Sequence, residues 1–513
     1  MHYAFGAQAE TRRHSGEKSA NPAGLLSQYK TSIHSKLWRV ESGTRFIARS
    51  STTRMMAGAS QIRVNAEKPA CGGGLSRRLG IGTSTALVVG FVIGSGIFRV
   101  PGHVAAEAGG VGAALLAWTV GGAVVLCGSL SLAELGAMFP RAGGVYVFLY
   151  EAYGPEVAFL KGWMHLIVGP SSWAAVALIF ADYTRNFFPM TQTGARFLAA
   201  ALIAILAAMG CRSVSVAASV QAISTWLKVA ALLGMATALF ILHHRSAGAM
   251  ATPRFASNGW SGLGLALIPV MFAYDGWNGF TAMSGEVRNP GRTIPVSLAV
   301  GVTAVAAVYL IVNLAYFTAL PFDVLQRSPH VAADAVSRVA GPAGTSIIAA
   351  LVMLTTFSAL NATVMIDPRI YFAMAESGLF FRSVARVHPR WGTPYVAIVL
   401  NASLAVFYVF IRSFDQLAEA FVLGVWPFLA LAVSAVLVLR RTRAEMPRPY
   451  RTTGYPVVPM IFIVASVALI LNAMYRHPIS TATSLGITLI GLPVYWVWRK
   501  SSYSRIADVN PLL

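Results

Sequence analysis

The sequence predicts an all-α polytopic membrane protein of about twelve transmembrane helices, the first and sixth of them broken in mid-span. Composition is the first reason: 56% of the 513 residues are hydrophobic and only 12% are charged. A soluble domain carries about 25% charged residues. The second reason is a series of apolar runs, each near the ~20 residues that cross a bilayer. The third is a pair of glycine-rich interruptions at matching places in the two halves of the chain.

Residues 1–78 are polar, basic and rich in Ser and Arg, with no sustained helical period. They read as a disordered cytoplasmic tail, although the same bias suits a targeting segment or a true start at Met55 or Met56. Apolar segments then follow at 80–105, 112–138, 157–185, 194–210, 214–243, 262–286, 295–320, 343–366, 394–412, 417–439, 456–474 and 480–498. Residues 79–500 form the membrane domain: a first repeat over 79–243, a second over 260–439 and two extra helices over 456–498. Residues 501–513 make a cytoplasmic C-terminal tail.

The formal net charge of +21 sits in the tail and in the short loops. No basic run is interleaved with aromatics on a soluble face, so nucleic-acid binding is not expected. One set of loops, with the C-terminal tail, holds the larger share of Lys and Arg, among them Arg141, Lys161, Arg369, Arg440 and Arg443. The positive-inside rule therefore puts both termini in the cytoplasm of a plasma or bacterial inner membrane. Cys71 lies in the tail, Cys127 within an apolar run and Cys211 beside a short basic loop, none in a segment placed outside the membrane, so a structural disulfide is not expected. No catalytic residue, metal or cofactor is assigned.

The first span reads IGTSTALVVGFVIGSGIFRVPG (81–102), and Gly94-Ser95-Gly96 is its worst helix-forming stretch. Each glycine costs a helix about 1 kcal/mol, and amides left bare in hydrocarbon cost several more. An unwound segment survives there only if protein or ligand satisfies it. Free amides at Ser95, Gly96 and Ile97 would suit a carboxylate, as helix N-termini do. The sixth span carries Asp275-Gly276-Trp277-Asn278-Gly279, turn chemistry inside an apolar segment. Glycines used only for close helix packing are the bland alternative. Two interruptions at matched positions, one with Asp and Asn, favour an inverted-repeat transporter of two five-helix halves.

At these residues a family likeness becomes specific. FVIGSGIFRVPG, FAYDGWNG followed by EVRNPGRTIP, and GGVYVFLYEAYGP before the third span resemble the amino acid–polyamine–organocation superfamily, and most of all its L-type amino acid transporter branch. WMHLIVGPSSWAAVALIFADY (163–183) and QAISTWLKVAALLG (221–234) are similar too, and the resemblance covers residues 80–500. It implies a leucine-transporter-type fold, alternating access and a sodium-independent site for a small amino acid. Carried over, Ser95 and Gly96 would hold the substrate carboxylate through backbone amides and hydroxyl, with Gly94 beside them in the substrate site. The carbonyls of Ile93, Phe272 and Ala273 would take its ammonium, Phe272 would also be the outer gate, and Trp426 would line the side-chain pocket. Animal members of the branch pair with a glycoprotein through a cysteine in the loop after span three. Residues 184–196 contain none, so no disulfide-linked partner is expected.

Lys228 lies near the middle of a span, where an ammonium costs at least about 2.5–3.5 kcal/mol and must face polar partners. The resemblance puts it where sodium sits in sodium-coupled relatives, bridging span one to span eight, with Ser358 as the candidate span-eight partner. Asp275 has two readings: a site for a cationic group or proton, or a cap on the half-helix that follows, the second being favoured. Glu134 reads as an interfacial charge. Asp275 is the one ionisable group expected in the pocket, which favours neutral substrates.

Exchange and proton-coupled symport of amino acids or polyamines both remain open, exchange being preferred. From other classes, a non-transporting nutrient receptor would keep the same site. An aspartyl intramembrane protease would match Tyr274-Asp275, but its second Gly-x-Gly-Asp motif is absent and Asp367 stands before a proline at a helix end. No enzyme is expected.

Overall fold

The computed structural model describes residues 75, 77–242, 259–328, 330–341, 343–411, 414–476 and 478–509, all within the unit Gly73–Leu513. The tail expected to be disordered, save residues 75, 77 and 78, lies outside the described residues, as do Cys71 and the last four residues.

Two helices, α1 (Ile81–Val92) and α2 (Gly96–Ala108), make the first broken span. They are followed by α3 (Val111–Met138), the short α4 (Val145–Tyr153), α5 (Pro155–Thr184), α6 (Gln192–Arg212) and α7 (Val214–Leu242). The sixth segment is α8 (Gly259–Ala273) and a 310 run, Trp277–Glu286. Next come α9 (Pro290–Ala319), α10 (Phe322–Leu325), α11 (Val331–Ala340), α12 (Ala343–Glu376), α13 (Tyr395–Ile411), α14 (Phe414–Thr442), α15 (Val457–Arg476) and α16 (Pro478–Val509). Among the described residues, seven helices are long and apolar enough to cross a membrane singly, and the bent pair α1–α2 makes an eighth.

Both expected breaks are present, each with a local cause. Val92 ends α1 because Ile93 turns extended (φ −72°, ψ 96°), and the chain re-enters a helix at Gly96 after a 51° bend. The second break turns on Gly276, whose φ of +105° is a left-handed conformation that side chains resist. The ten-residue 310 run after it is longer than the three or four residues usual for this geometry. Side chains brace it: Thr281 Oγ1 donates to Asn278 O at 2.6 Å and Ser284 Oγ to Thr281 O at 2.7 Å.

The two breaks touch backbone to backbone. A Cβ on Gly96 would sit 3.1 Å from Ala273 Cα, and one on Gly276 would sit 2.6 Å from Phe91 O. Behind them, α9 packs on α3 and α1. Trp118, Tyr274 and Tyr309 form a ring cluster there, Trp118 edge-on to both tyrosines and the tyrosines tilted to each other, with centroids 5.1–5.9 Å apart.

Ion pairs tie one end of the bundle together and correct two expectations. Arg369, expected in a loop, lies inside α12 and donates to Glu286 at 2.9 Å, the pair being 2% and 1% exposed. Glu134, expected as an interfacial charge, is buried; it accepts from Arg440 at 2.9 and 2.7 Å and from the Thr452 amide at 2.7 Å. Glu286 O also accepts from the amides of Arg78 and Leu79, stitching the start of the first span to the end of the sixth. On α4, Glu151 pairs with Arg141 and Arg443. Burial works to raise its carboxyl, but the hydrogen bonds from Arg443 and Arg141 outweigh it and hold it below the usual carboxylate range.

Candidate functional site

The breaks face a cavity of about 210 Å³. Gly94, Ser95 and Gly96 line it from the first break, and Phe272, Ala273, Asp275, Gly276, Asn278 and Gly279 from the sixth segment. Lys161, His165, Gly169, Ser172 and Val176 line it from α5, a spacing that marks one face of a helix. Thr356, Thr363, Ile366 and Asp367 come from α12, and Val425 from α14.

Because α2 begins at Gly96, the first-turn amides of Gly96 and Ile97 have no acceptor within the helix. Such amides suit a carboxylate. Ile97 itself is buried and outside the lining, as is Ile93. The three carbonyls expected to take an ammonium already have protein donors: Ile93 O from Lys228 at 2.6 Å, Phe272 O from the Asp275 amide at 3.2 Å, and Ala273 O from the Tyr309 hydroxyl at 3.0 Å. Each retains its second lone pair. The Phe272 side chain is 41% exposed and stands in the cavity wall.

Lys228 is fully buried and donates to Gly90 O at 2.8 Å and Ile93 O at 2.6 Å, the carbonyls that the end of α1 leaves without helical partners. Its expected partner Ser358 is not bonded to it. Ser358 Oγ instead meets Gln221 Nε2 and Ser224 Oγ, both at 3.1 Å. The link from α7 to α12 therefore runs through Gln221 and Ser224, up to two turns from the lysine.

Two further expectations change. No side chain caps the 310 run, whose N-cap is Gly276, and Asp275 Oδ1 is a buried atom without a hydrogen-bond partner. Trp426 lies outside the cavity lining and stacks on Phe462, centroids 6.2 Å apart, while its neighbour Val425 takes the lining position.

Two half-broken segments that supply bare amides and a carboxylate to one small cavity suit a zwitterion. The amino acid permease profile matches residues 79–497. The chain belongs to that family. It is 30% identical to the serine/threonine exchanger SteT of Bacillus subtilis over 435 residues, covering 84% of this chain and 99% of the relative. It is 31% identical to the human b(0,+)-type amino acid transporter 1 over 416 residues (79% and 84%) and 28% identical to the human cystine/glutamate transporter over 436 residues (83% and 86%). This chain is thus an integral, multi-pass amino acid transporter of the permease family, not an enzyme.

The permease's cavity holds more charge than the sequence led us to expect. Lys161, assigned to a loop, is buried on α5 and lines it. Asp367, assigned to a helix end, is buried within α12; its Oδ2 accepts from Trp173 Nε1 at 2.7 Å and its Oδ1 lies 3.2 Å from His165 Nε2. Asp275 is therefore not the only ionisable group in the cavity. The Lys161–His165 spacing of one helical turn inside an apolar span was the signal that could have found this group. Tyr309 was also missed: its hydroxyl reaches both Val92 O (3.1 Å) and Ala273 O (3.0 Å), pinning the two breaks together. Nothing local in the sequence marks it.

Proposed function

We propose that this permease is a sodium-independent exchanger of neutral amino acids. In this reading twelve spans are arranged as two inverted five-helix halves plus two helices, with both termini in the cytoplasm and no disulfide-linked glycoprotein partner. Alternating access would move the substrate past the paired breaks. Ser95 and Gly96 would hold its carboxylate, the Phe272 and Ala273 carbonyls its ammonium, and Phe272 would close the outer side.

The observation that carries this is the Lys228 ammonium, which donates to Gly90 and Ile93 carbonyls at the first break. A fixed cation at exposed helix-end carbonyls does there what a bound sodium ion would do, so no sodium is needed. Neutral substrates fit a cavity whose Asp367 is already engaged by Trp173 and His165, which leaves one group of each sign, Lys161 and Asp275, for the two ends of a zwitterion. One relative is a serine/threonine exchanger and another a cystine/glutamate transporter.

Reconstitution in liposomes tests it. Uptake of labelled amino acid should require internal amino acid and ignore both sodium and the pH gradient. Uptake into empty vesicles driven by inward protons would make this a symporter instead, with Lys228 and Asp275 the groups to examine. Binding without flux would point to a receptor.

A further inference from the structure

A buried ion loses its hydration and regains that stabilisation only from other polar groups, so buried charges in membrane proteins face partners. Lys228, Arg369 and Glu134 follow this rule. Lys161 does not. It lines the cavity, is only 5% exposed, and among the described residues makes no hydrogen bond and no ion pair within 4.0 Å. The charges it senses are Asp367 and Asp275. Asp367 is already engaged by Trp173 and His165. Asp275 is the complement of Lys161, with a buried Oδ1 that has no partner. One cavity therefore contains an unpartnered ammonium and an unpartnered carboxylate oxygen that do not reach each other.

A substrate with its main chain at the first break cannot use the ammonium. Val176 and Lys161 both line the cavity from α5, and at about 1.5 Å per residue they stand about 22 Å apart along it. Ser95 belongs to the far end, where it shares a neighbouring hollow with Ile179, just beyond Val176. The ammonium and carboxylate of a free α-amino acid are under about 4 Å apart. Lys161 lies well beyond that reach.

Building on the amino acid reading of the cavity, we propose that Lys161 and Asp275 bracket a second, deeper binding station for the zwitterionic substrate. Lys161 takes the carboxylate and Asp275 Oδ1 takes the α-ammonium. A zwitterion satisfies both groups, whereas a lone anion or cation satisfies one and a hydrocarbon neither. When the station is occupied the cavity closes around two paired charges; when it is empty it closes around an unpaired ammonium and a carboxylate held only by the Gly276 amide. That difference favours exchange over return of the empty carrier.

The test uses the full-length permease in vesicles of single orientation. The probe is labelled alanine, serine or leucine, whichever the wild type exchanges fastest, with KM measured separately on the two sides. Lys161→Met keeps the side-chain length and removes the charge; Lys161→Arg keeps the charge. The expected result is that Lys161→Met raises KM on the Lys161 side about tenfold more than on the other, that Lys161→Arg recovers most of this, and that Asp275→Asn shifts KM toward the same side. Lys161→Met should also lower the ratio of exchange to uptake into empty vesicles. Equal effects on both sides, or none, overturn the deeper station. If Lys161→Met does not fold, the Asp275→Asn and Lys161→Arg variants decide by the same sided measurement. A folded wild type that exchanges no amino acid overturns the transport mechanism itself rather than the station.

Discussion

The two breaks solve one problem in opposite ways. In the first, carbonyls exposed by the end of α1 are satisfied from within the protein: Lys228 reaches in from α7 and donates to Gly90 and Ile93. In the second, the chain turns on a left-handed glycine and leaves Asp275 Oδ1 without a partner beside the cavity. The contrast shows that an unwound membrane helix does not by itself specify a ligand site. One break is plugged by a side chain from elsewhere in the fold, and the polar groups that remain unplugged are the ones left for a ligand.

The plug is the place to break this comparison. Lys228→Met should lower stability by about 3–6 kcal/mol, since two hydrogen bonds to a charged donor are lost at about 1.5–3 kcal/mol each, and should reduce exchange more than about 100-fold. Thermal unfolding in detergent and liposome exchange read these two effects. Exchange within twofold of wild type would mean the first break needs no plug.

Gly276 of the second break should be intolerant where Gly94 of the first is permissive. Gly276→Ala meets a φ of +105° and a contact 2.6 Å from Phe91 O, and should cost about 1–3 kcal/mol of stability. Gly94→Ala meets no atom within 4 Å and should stay within about 0.5 kcal/mol of wild type. Similar losses at both glycines would erase the distinction.

Tyr309→Phe sharpens the comparison, because that hydroxyl touches a carbonyl from each break. Its loss should cost about 1 kcal/mol, visible as a melting shift of a few degrees with slower exchange. A control lies away from both breaks. Glu151, held below its ordinary range by Arg443 and Arg141, contributes stability that is fully present above the unfolded carboxylate pKa of ~4.3. That contribution is lost as pH falls through the lower folded value. With both arginines partly exposed, the effect should be under about 1 kcal/mol. Glu151→Gln should remove it from a stability–pH curve and leave exchange kinetics near wild type.

Much of the fold was legible in the sequence for reasons of local chemistry. Gly94-Ser95-Gly96 and Asp275-Gly276 interrupt helices because their backbone preferences do so wherever they are placed. Lys228 announced an interior position because a lone ammonium in a long apolar run has few alternatives. The partners were less legible. Ser358 was matched to Lys228 by segment, but hydrogen bonds form atom by atom, and Gln221 and Ser224 reach it instead. Trp426 and Val425 differ by one residue, yet about 100° of helix rotation separates a side chain on the cavity from one stacked against Phe462.

The sequence by itself determined that this chain is a membrane-spanning helical protein, where its first and sixth segments break, and that one lysine must be satisfied inside. Those properties depend on hydropathy and backbone propensity summed over neighbouring residues. The tertiary structure decided which face of each helix meets the cavity. Lys161 and His165, one turn apart on α5, and Asp367, far along the chain on α12, thereby become one ionisable group beside Asp275. The physical reason is that rotation about a helix axis is set by packing against other helices, and no local stretch of sequence contains that information.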